Sequence, residues 1–391
     1  MTDPTIGGRS GRIRRVLEGV LGVPATEGNA VTVLRNGDEI FPAMLDAIAA
    51  STRTVDLLTF VYWQGDIARR FAEALAERAR AGIRVRVLLD ALGARLLDDE
   101  LVELMTAAGC DLRWFRPING RDLTNANNRT HRKILVCDET VSFTGGVGIA
   151  AEWEGDARDE SEWRDTHFRI EGPATDGLRS AFLDNWTETG GPIFEPGIDR
   201  FPEQPQCGQT VIQVVRGAAE ANSTDIQTLL RSLLALAEER VRITTAYFTP
   251  DDEVLQALHD LLDRGVTLEI LVPGPHADKG FVRLAGEAVY EELLEHGARI
   301  DMFLPSMLHA KVLTVDGAVA AVGSANVNSR STVHDEEVDL VIFDADIVAT
   351  LDAHFEQDQG RSERIDPSVW EERGLLHRLA ERATTLVSDL L

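Results

Sequence analysis

Two stretches of the sequence repeat one pattern of chemically capable side chains. His131 is followed by Lys133, Asp138 and Gly145, and His309 by Lys311, Asp316 and Gly323. Each copy therefore reads His, one residue, Lys, four residues, Asp, six residues, Gly. Of 39 basic residues, three are lysine and so 36 are arginine, yet two of the three lysines fall in this pattern. A compact ammonium has been kept where a planar, forked guanidinium would not substitute. Phosphodiester chemistry asks for this pairing. Ammonium charge offsets the anionic oxygens that repel a nucleophile. An imidazole of pKa about 6.5 can attack phosphorus when neutral or deliver a proton when charged. Two His-Lys pairs converging on one site could do both jobs without a metal or any other cofactor.

Positioning them falls to elements that are themselves repeated. An apolar strand over Val55–Tyr62 precedes a helix over Asp66–Arg80, Gly82 and a strand over Val85–Leu89. Later a strand over Val241–Tyr247 precedes a helix over Asp252–Asp263, Gly265 and a strand over Thr267–Val272. Each copy then supplies a helix, a short strand, the His-Lys-Asp pattern and a closing strand. The alternation predicts an α/β fold with largely buried sheets. Ile134–Val136 and Val312–Val315 read as short buried strands, placing His131 and His309 at strand starts. Asp138-Glu139-Thr140 and Asp316-Gly317 are turn material, so a hairpin follows each. Gly190, Gly191 and four prolines between Thr187 and Gln209 punctuate the chain. The expected organisation is an arm over 1–30, a first half over 31–190, a linker over 191–209, and a second half over 210–391 that ends in a helix over Pro367–Leu391.

Composition narrows the partners. A net charge of -26 disfavours general adhesion to nucleic acid by long-range attraction. Cys110, Cys137 and Cys207 are too scattered for a disulfide framework or a zinc site, which fits a reducing compartment. No apolar run approaches the ~18–20 residues of a membrane span, and the N-terminus has no uninterrupted apolar core of a signal peptide. One segment departs from the acidic bulk. Arg9, Arg12, Arg14 and Arg15 accompany Ile13, Val16, Leu17, Val20 and Leu21 at the spacing of one helical face. Either this helix lies on an anionic bilayer or it docks on the protein's own surface.

The repeated pattern resembles that of the phospholipase D superfamily, and the surrounding residues resemble bacterial cardiolipin synthases from Val31 to about Glu356. The matching stretches are Asn36-Gly37-Asp38, Phe41-Pro42-Ala43-Met44, Trp163-Arg164-Asp165-Thr166-His167, Glu171-Gly172-Pro173 and Thr245-Ala246-Tyr247-Phe248. To these are added Gly323-Ser324-Ala325-Asn326 and Arg330-Ser331. The resemblance implies a duplicated fold, two α/β/α halves about a pseudo-twofold axis with the active site between them.

It also implies roles. His131 would be the nucleophile and His309 the general acid/base, although the symmetry of the motifs leaves that order open. Lys133, Lys311, Ser324, Asn326 and Gly146 would hold the phosphate oxygens. An acid downstream of each motif, Asp165 in the first half and Glu337 in the second, would fix an imidazole's tautomer. Asp138 and Asp316 complete the catalytic pattern, with an anchoring role in the turn after the motif strand. Gly148 stands where relatives commonly carry asparagine. His167 is equally open to a structural or a catalytic role, and Lys279 reads as a loop lysine that could meet a head group. Trp63, Trp153, Trp163 and Tyr247 are candidates for a lipid channel or for core.

The implied reaction is phosphatidyl transfer from phosphatidylglycerol to a second lipid, in a cytoplasmic protein peripheral on the inner face of the cell membrane. An anionic membrane surface and a phospholipid are the expected partners; nucleic acid is not. Water as acceptor would instead give a phospholipase D that releases phosphatidic acid. A metal-independent nucleic-acid phosphodiesterase and a non-enzymatic head-group-binding scaffold are the further alternatives.

Overall fold

Helix α1 (Arg9–Leu21) leads into the first half: β1 (Thr26–Arg35), α2 (Asn36–Ala50), β2 (Thr54–Thr59), α3 (Asp66–Arg80), β3 (Arg84–Asp90), α4 (Asp99–Ala108), β4 (Asp111–Phe115), β5 (Ile134–Cys137), β6 (Val141–Gly145), β7 (Thr166–Glu171) and α5 (Ala174–Glu188). The second half follows with β8 (Thr210–Arg216), α6 (Asp225–Leu236), β9 (Arg240–Thr244), β10 (Phe248–Thr249), α7 (Asp252–Asp263), β11 (Thr267–Pro273), α8 (Gly280–Glu295) and β12 (Arg299–Phe303). It closes with β13 (Val312–Val315), β14 (Val319–Gly323), β15 (Val327–Asn328), β16 (Val338–Phe343), α9 (Ala345–Gln359) and β17 (Ser362–Arg364). The structure is a computed structural model that describes residues 8–117, 128–193, 201–218, 225–278 and 280–367. Lys279, residues 194–200 of the expected linker and the expected terminal helix beyond Pro367 lie outside the described residues.

The α/β reading holds, and so does the duplication. One sheet runs β17-β12-β11-β9-β13-β14-β16-β8-β1-β7-β6-β5-β2-β3-β4. Outward from the β8–β1 contact, β8-β16-β14-β13-β9-β11-β12 matches β1-β7-β6-β5-β2-β3-β4 rank by rank. The seam is slight: Thr26 pairs with Ile212 and Asn29 with Thr210, with a register shift between them. A core shared by both halves reinforces it. Leu58, Ile134 and Phe168 of the first half pack with Val214, Val322 and Leu340 of the second, beneath Leu178 and Phe182 of α5.

Local sequence explains the elements that frame the motifs. On α3, Ile67, Ala68, Phe71, Ala72, Leu75 and Ala76 form one buried face at helical spacing. α7 starts where the Asp251 carboxylate accepts from the Val254 N–H. β2 and β9 stop earlier than their apolar runs suggest, at Thr59 and Thr244. The Thr59 hydroxyl donates to the Val61 carbonyl and the Thr245 hydroxyl to the Tyr247 carbonyl. Each is a local side-chain turn that competes with the ladder.

Helix α1 settles one alternative. Ile13, Leu17 and Leu21 are buried with Leu229 and Leu233 of α6 in the second half's core. Arg9 donates to Glu239, Arg12 to Glu238, and Arg14 to Glu18 and Glu27. The reading of this helix as a bilayer-bound arm is therefore corrected: the face it would offer to lipid is used within the protein. Among the described residues no helix is long and apolar enough to cross a membrane.

Candidate active site

Each motif is threaded against the opposite half. His131 lies three residues before β5, and its N–H donates to the Glu336 carbonyl at 2.9 Å. His309 lies three residues before β13, and its N–H donates to the Arg164 carbonyl at 2.7 Å. Single parallel bridges, Thr130 with Glu336 and Arg164 with Leu308, fix both crossings. Arg132, between the motif His and Lys, is buried and ties this arrangement together. Its guanidinium donates to the carbonyls of Glu337, Ala181 and Gly217 and to Asn185 Oδ1, a fork that a single ammonium could not supply.

The acids are exchanged between halves. His131 Nδ1 lies 3.0 Å from Glu337 Oε1 and 3.0 Å from the Ser324 carbonyl. His309 Nδ1 lies 2.8 Å from Asp165 Oδ2. Both expected acids thus lie on imidazoles, and each serves the other half's histidine. With its proton on Nδ1, each imidazole donates to a carboxylate and turns Nε2 away from it; Lys311 Nζ lies 3.2 Å from His309 Nε2.

The two acids are held by different groups. The Trp153 indole N–H donates to Asp165 Oδ2 and the Thr166 N–H to Oδ1, both at 2.8 Å. Glu337 accepts instead from two hydroxyls, those of Ser324 and Ser331. Burial works against ionisation in both. For Asp165 the hydrogen bond and charge of His309, then Lys311 and Trp153, outweigh it and hold the carboxyl below its ordinary range. For Glu337 burial wins over Lys133 and the serines, and the carboxyl is pushed up to about 7. Burial and Lys311 push His309 down to about 4, against the pull of Asp165. Asp165 and His309 are thus one coupled pair, in which each partner favours the other's charge while burial opposes both.

Both lysines are buried beside their own histidines. Lys133 Nζ donates to the His131 carbonyl at 2.6 Å and Lys311 Nζ to the His309 carbonyl at 2.5 Å. Burial pushes them down to about 7 and about 8. Lys133 feels Glu337, Lys311 and Asp165, and Lys311 feels Asp165 and Glu337. Both motifs therefore share one electrostatic site.

Asp138 and Asp316 stand apart from that site, correcting their place among the catalytic residues. The Asp138 carboxylate accepts from the N–H groups of Thr52, Arg53 and Thr54 and from the Thr52 hydroxyl. Asp316 accepts from the N–H groups of Glu238, Glu239 and Arg240. Each clamps its hairpin onto the start of the neighbouring strand. The backbone there is left-handed, φ +50° and +53°, which an aspartate tolerates better than most residues.

Two expected phosphate ligands are also corrected. The Ser324 hydroxyl donates to Glu337, and the Gly146 N–H donates to the Thr166 carbonyl. Gly146 makes room for the acid instead, since a Cβ there would lie 2.2 Å from Asp165 Oδ1. Asn326 is buried and its Oδ1 has no partner among the described residues. Gly148, its counterpart, could not be asparagine without rearrangement, because a Cβ would lie 2.7 Å from Val61 Cβ and 3.2 Å from the Trp153 ring.

The remaining candidates divide. His167 is buried opposite Gly145, pushed down to about 4 by burial, and neither ring nitrogen has a partner among the described residues. Trp163 packs 5.5 Å from the His309 ring and Tyr247 6.4 Å from it, while Trp63 donates to the Gly93 carbonyl and lies 6.1 Å from the Trp153 ring. Trp153 and Ser331 were missed as acid-holding residues. Their types allow the role, but the contacts follow only from tertiary structure.

Comparison with known proteins points the same way. A family model described as cardiolipin synthase, PLD-like domain, matches residues 44–156 and 230–359. The chain is 32% identical over 370 residues to a cardiolipin synthase of Geobacillus kaustophilus, covering 94% of this chain and 74% of that one. It is 32% identical over 372 residues to cardiolipin synthase A of Pseudomonas aeruginosa, again covering 94% and 74%. Among solved structures it resembles phosphatidylserine synthase of Haemophilus influenzae, with a TM-score of 0.72 at 15% identity, covering 98% of this chain and all of that one. Polyphosphate kinase of Porphyromonas gingivalis shares the fold at a TM-score of 0.58 and 13% identity, over 92% of this chain and 53% of that one.

Proposed function

The chain belongs to the phospholipase D-like family of cardiolipin synthases, and from that membership we propose that it transfers a phosphatidyl group from phosphatidylglycerol to the hydroxyl of a second lipid through a phosphohistidine. The observation that carries this reading is the crossed pair of imidazoles, each with Nδ1 on the opposite half's carboxylate, beside two buried ammoniums.

In the first step His131 Nε2 attacks phosphorus while Lys133, Lys311 and Asn326 draw charge from the non-bridging oxygens. His309, protonated at Nε2, gives that proton to the departing glycerol oxygen. The neutral His309 then takes the proton of the incoming hydroxyl, which attacks phosphorus and releases His131. One hard displacement becomes two easier ones.

The different carboxylates support this order. Asp165, held ionised, backs the imidazolium that His309 must carry. Glu337, pushed up to about 7, is the weaker charge partner of the two, which suits the imidazole that attacks. The entering phosphate anion offsets Lys311, whose charge otherwise opposes protonation of His309. With α1 docked on the protein, access to an anionic membrane falls to other surfaces. Leu96 and Leu304, 49% and 39% exposed in loops after β3 and β12, are suited to it.

The test is mass spectrometry of products after the protein meets phosphatidylglycerol vesicles in EDTA. Cardiolipin with free glycerol is expected. Phosphatidic acid alone would make water the acceptor, and no turnover of any lipid would overturn the reading.

A further inference from the structure

The loop after β11 brings a carboxylate to the His309 side of the site that the mechanism above does not use. It turns at Gly274, where a Cβ would lie 2.5 Å from the Phe303 carbonyl oxygen, and then crosses toward the first half. Ala277 packs against the first half's core, and His276 Nδ1 lies 3.3 Å from Glu160. The next residue, Asp278, is exposed. Its Oδ2 accepts from the Tyr247 hydroxyl at 2.8 Å, and the Tyr247 ring stands perpendicular to the His309 imidazole at 6.4 Å. The carboxylate is also close enough to act on the Lys311 ammonium.

We infer that Tyr247 and Asp278 form the subsite for the alcohol that leaves and enters beside His309, and that it selects the hydroxyls of a glycerol head group. The inference rests on the phosphatidyltransferase reading and adds where its head group sits. A carboxylate only accepts, so its ligand must donate. With Tyr247 on Oδ2, the Oδ1 lone pairs remain for a hydroxyl. Burial and the Asp278 charge both push the Tyr247 phenol up, so it stays a donor that fixes the carboxylate. The subsite exists on one side only. Thr59 and Thr245 make the same turn, which makes Val61 the counterpart of Tyr247, and valine has no hydroxyl. One-sidedness suits a mechanism in which a single histidine handles both alcohols.

The experiment uses mixed vesicles of phosphatidylglycerol and phosphatidylethanolamine, with released head groups quantified for the full chain and for Asp278→Ala, Asp278→Asn and Tyr247→Phe. Asp278→Ala should lower the ratio of glycerol to ethanolamine release at least tenfold, Tyr247→Phe should lower it less, and Asp278→Asn, which keeps an acceptor oxygen, should fall between. Equal loss from both lipids would overturn the subsite and leave the transfer reading standing. A larger loss from phosphatidylethanolamine would also overturn it, assigning the carboxylate to an ammonium. If the parent protein releases no glycerol, the transfer reading fails in the parent itself and the subsite fails with it.

Discussion

Asp165 and Glu337 hold equivalent places in the two halves, each two residues before the residue paired with the motif glycine: His167 opposite Gly145 and Asp339 opposite Gly323. Their surroundings diverge. Asp165 sits against Gly146, an indole N–H and a backbone N–H, and stays ionised beside His309, which Trp153, Trp163 and Tyr247 surround. Glu337 is one methylene longer, meets Ser324 and Ser331, and is pushed up to about 7 beside His131, which has Phe60 for a neighbour. Duplication supplies two histidines of one kind. Divergence of the groups behind them gives the two imidazoles different carboxylate partners, one held below its ordinary range and one pushed above it.

Exchanging the histidines for alanine should break this comparison most severely. His131→Ala should lower transfer by about 10⁴-fold and abolish any trapped phosphoenzyme. His309→Ala should lose about 10²–10⁴-fold, the range of general acid catalysis, yet still form the phosphoenzyme from a diester with a good leaving group. Rapid-quench mass spectrometry of the intact protein reads both; phosphoenzyme in His131→Ala would reverse the order.

Neutralising the acids should separate the halves next. Asp165→Asn removes a carboxylate that is ionised and should cost up to about 10⁴-fold, the loss when a histidine-orienting aspartate becomes an amide. Glu337→Gln removes one that is half neutral at pH 7 and should cost about tenfold. Steady-state rates at pH 7 compare them directly, and equal losses would erase the distinction.

The lysines give a pH test. Lys133 at about 7 and Lys311 at about 8 are both charged below pH 7 and both neutral well above pH 8. The kcat/KM should therefore fall as pH rises through this window. Stability should move the other way. Between these values and the unfolded lysine range, the unfolded chain binds more protons, so ΔG of unfolding from these two groups increases with pH. A pH–rate profile beside thermal unfolding at each pH reads both, and parallel trends would sink the assignment. The smallest expected change is Gly148→Asn. It should destabilise by about 1–3 kcal/mol through overpacking against Val61 and Trp153, without giving the first half a second Asn326.

Much of this was legible in the chain because it is written locally. The spacing of His131 and Lys133 with His309 and Lys311 located the site. α7 and β13 begin and end where their apolar patterns do, and Asp138 and Asp316 sit at their turns. The crossing of the acids was not legible, since Glu337 is 206 residues from His131 and Asp165 is 144 from His309, and no periodicity encodes such a contact. Ser324 was read as a phosphate ligand because a hydroxyl near a motif suits either partner, and only packing aims it at Glu337. The face of α1 was visible as a stripe, but a stripe does not say whether lipid or Leu229 covers it.

The exchanged acids also bear on how such a chain can change over generations. A gene fragment for either half alone would encode a histidine without the carboxylate that holds it, and a carboxylate with nothing to hold. Neither copy can decay while the other preserves the function, so the usual fate of a duplicate, silent loss of one member, is closed to this pair. What remains open is divergence under mutual constraint, in which a substitution behind one histidine is answered from the far copy.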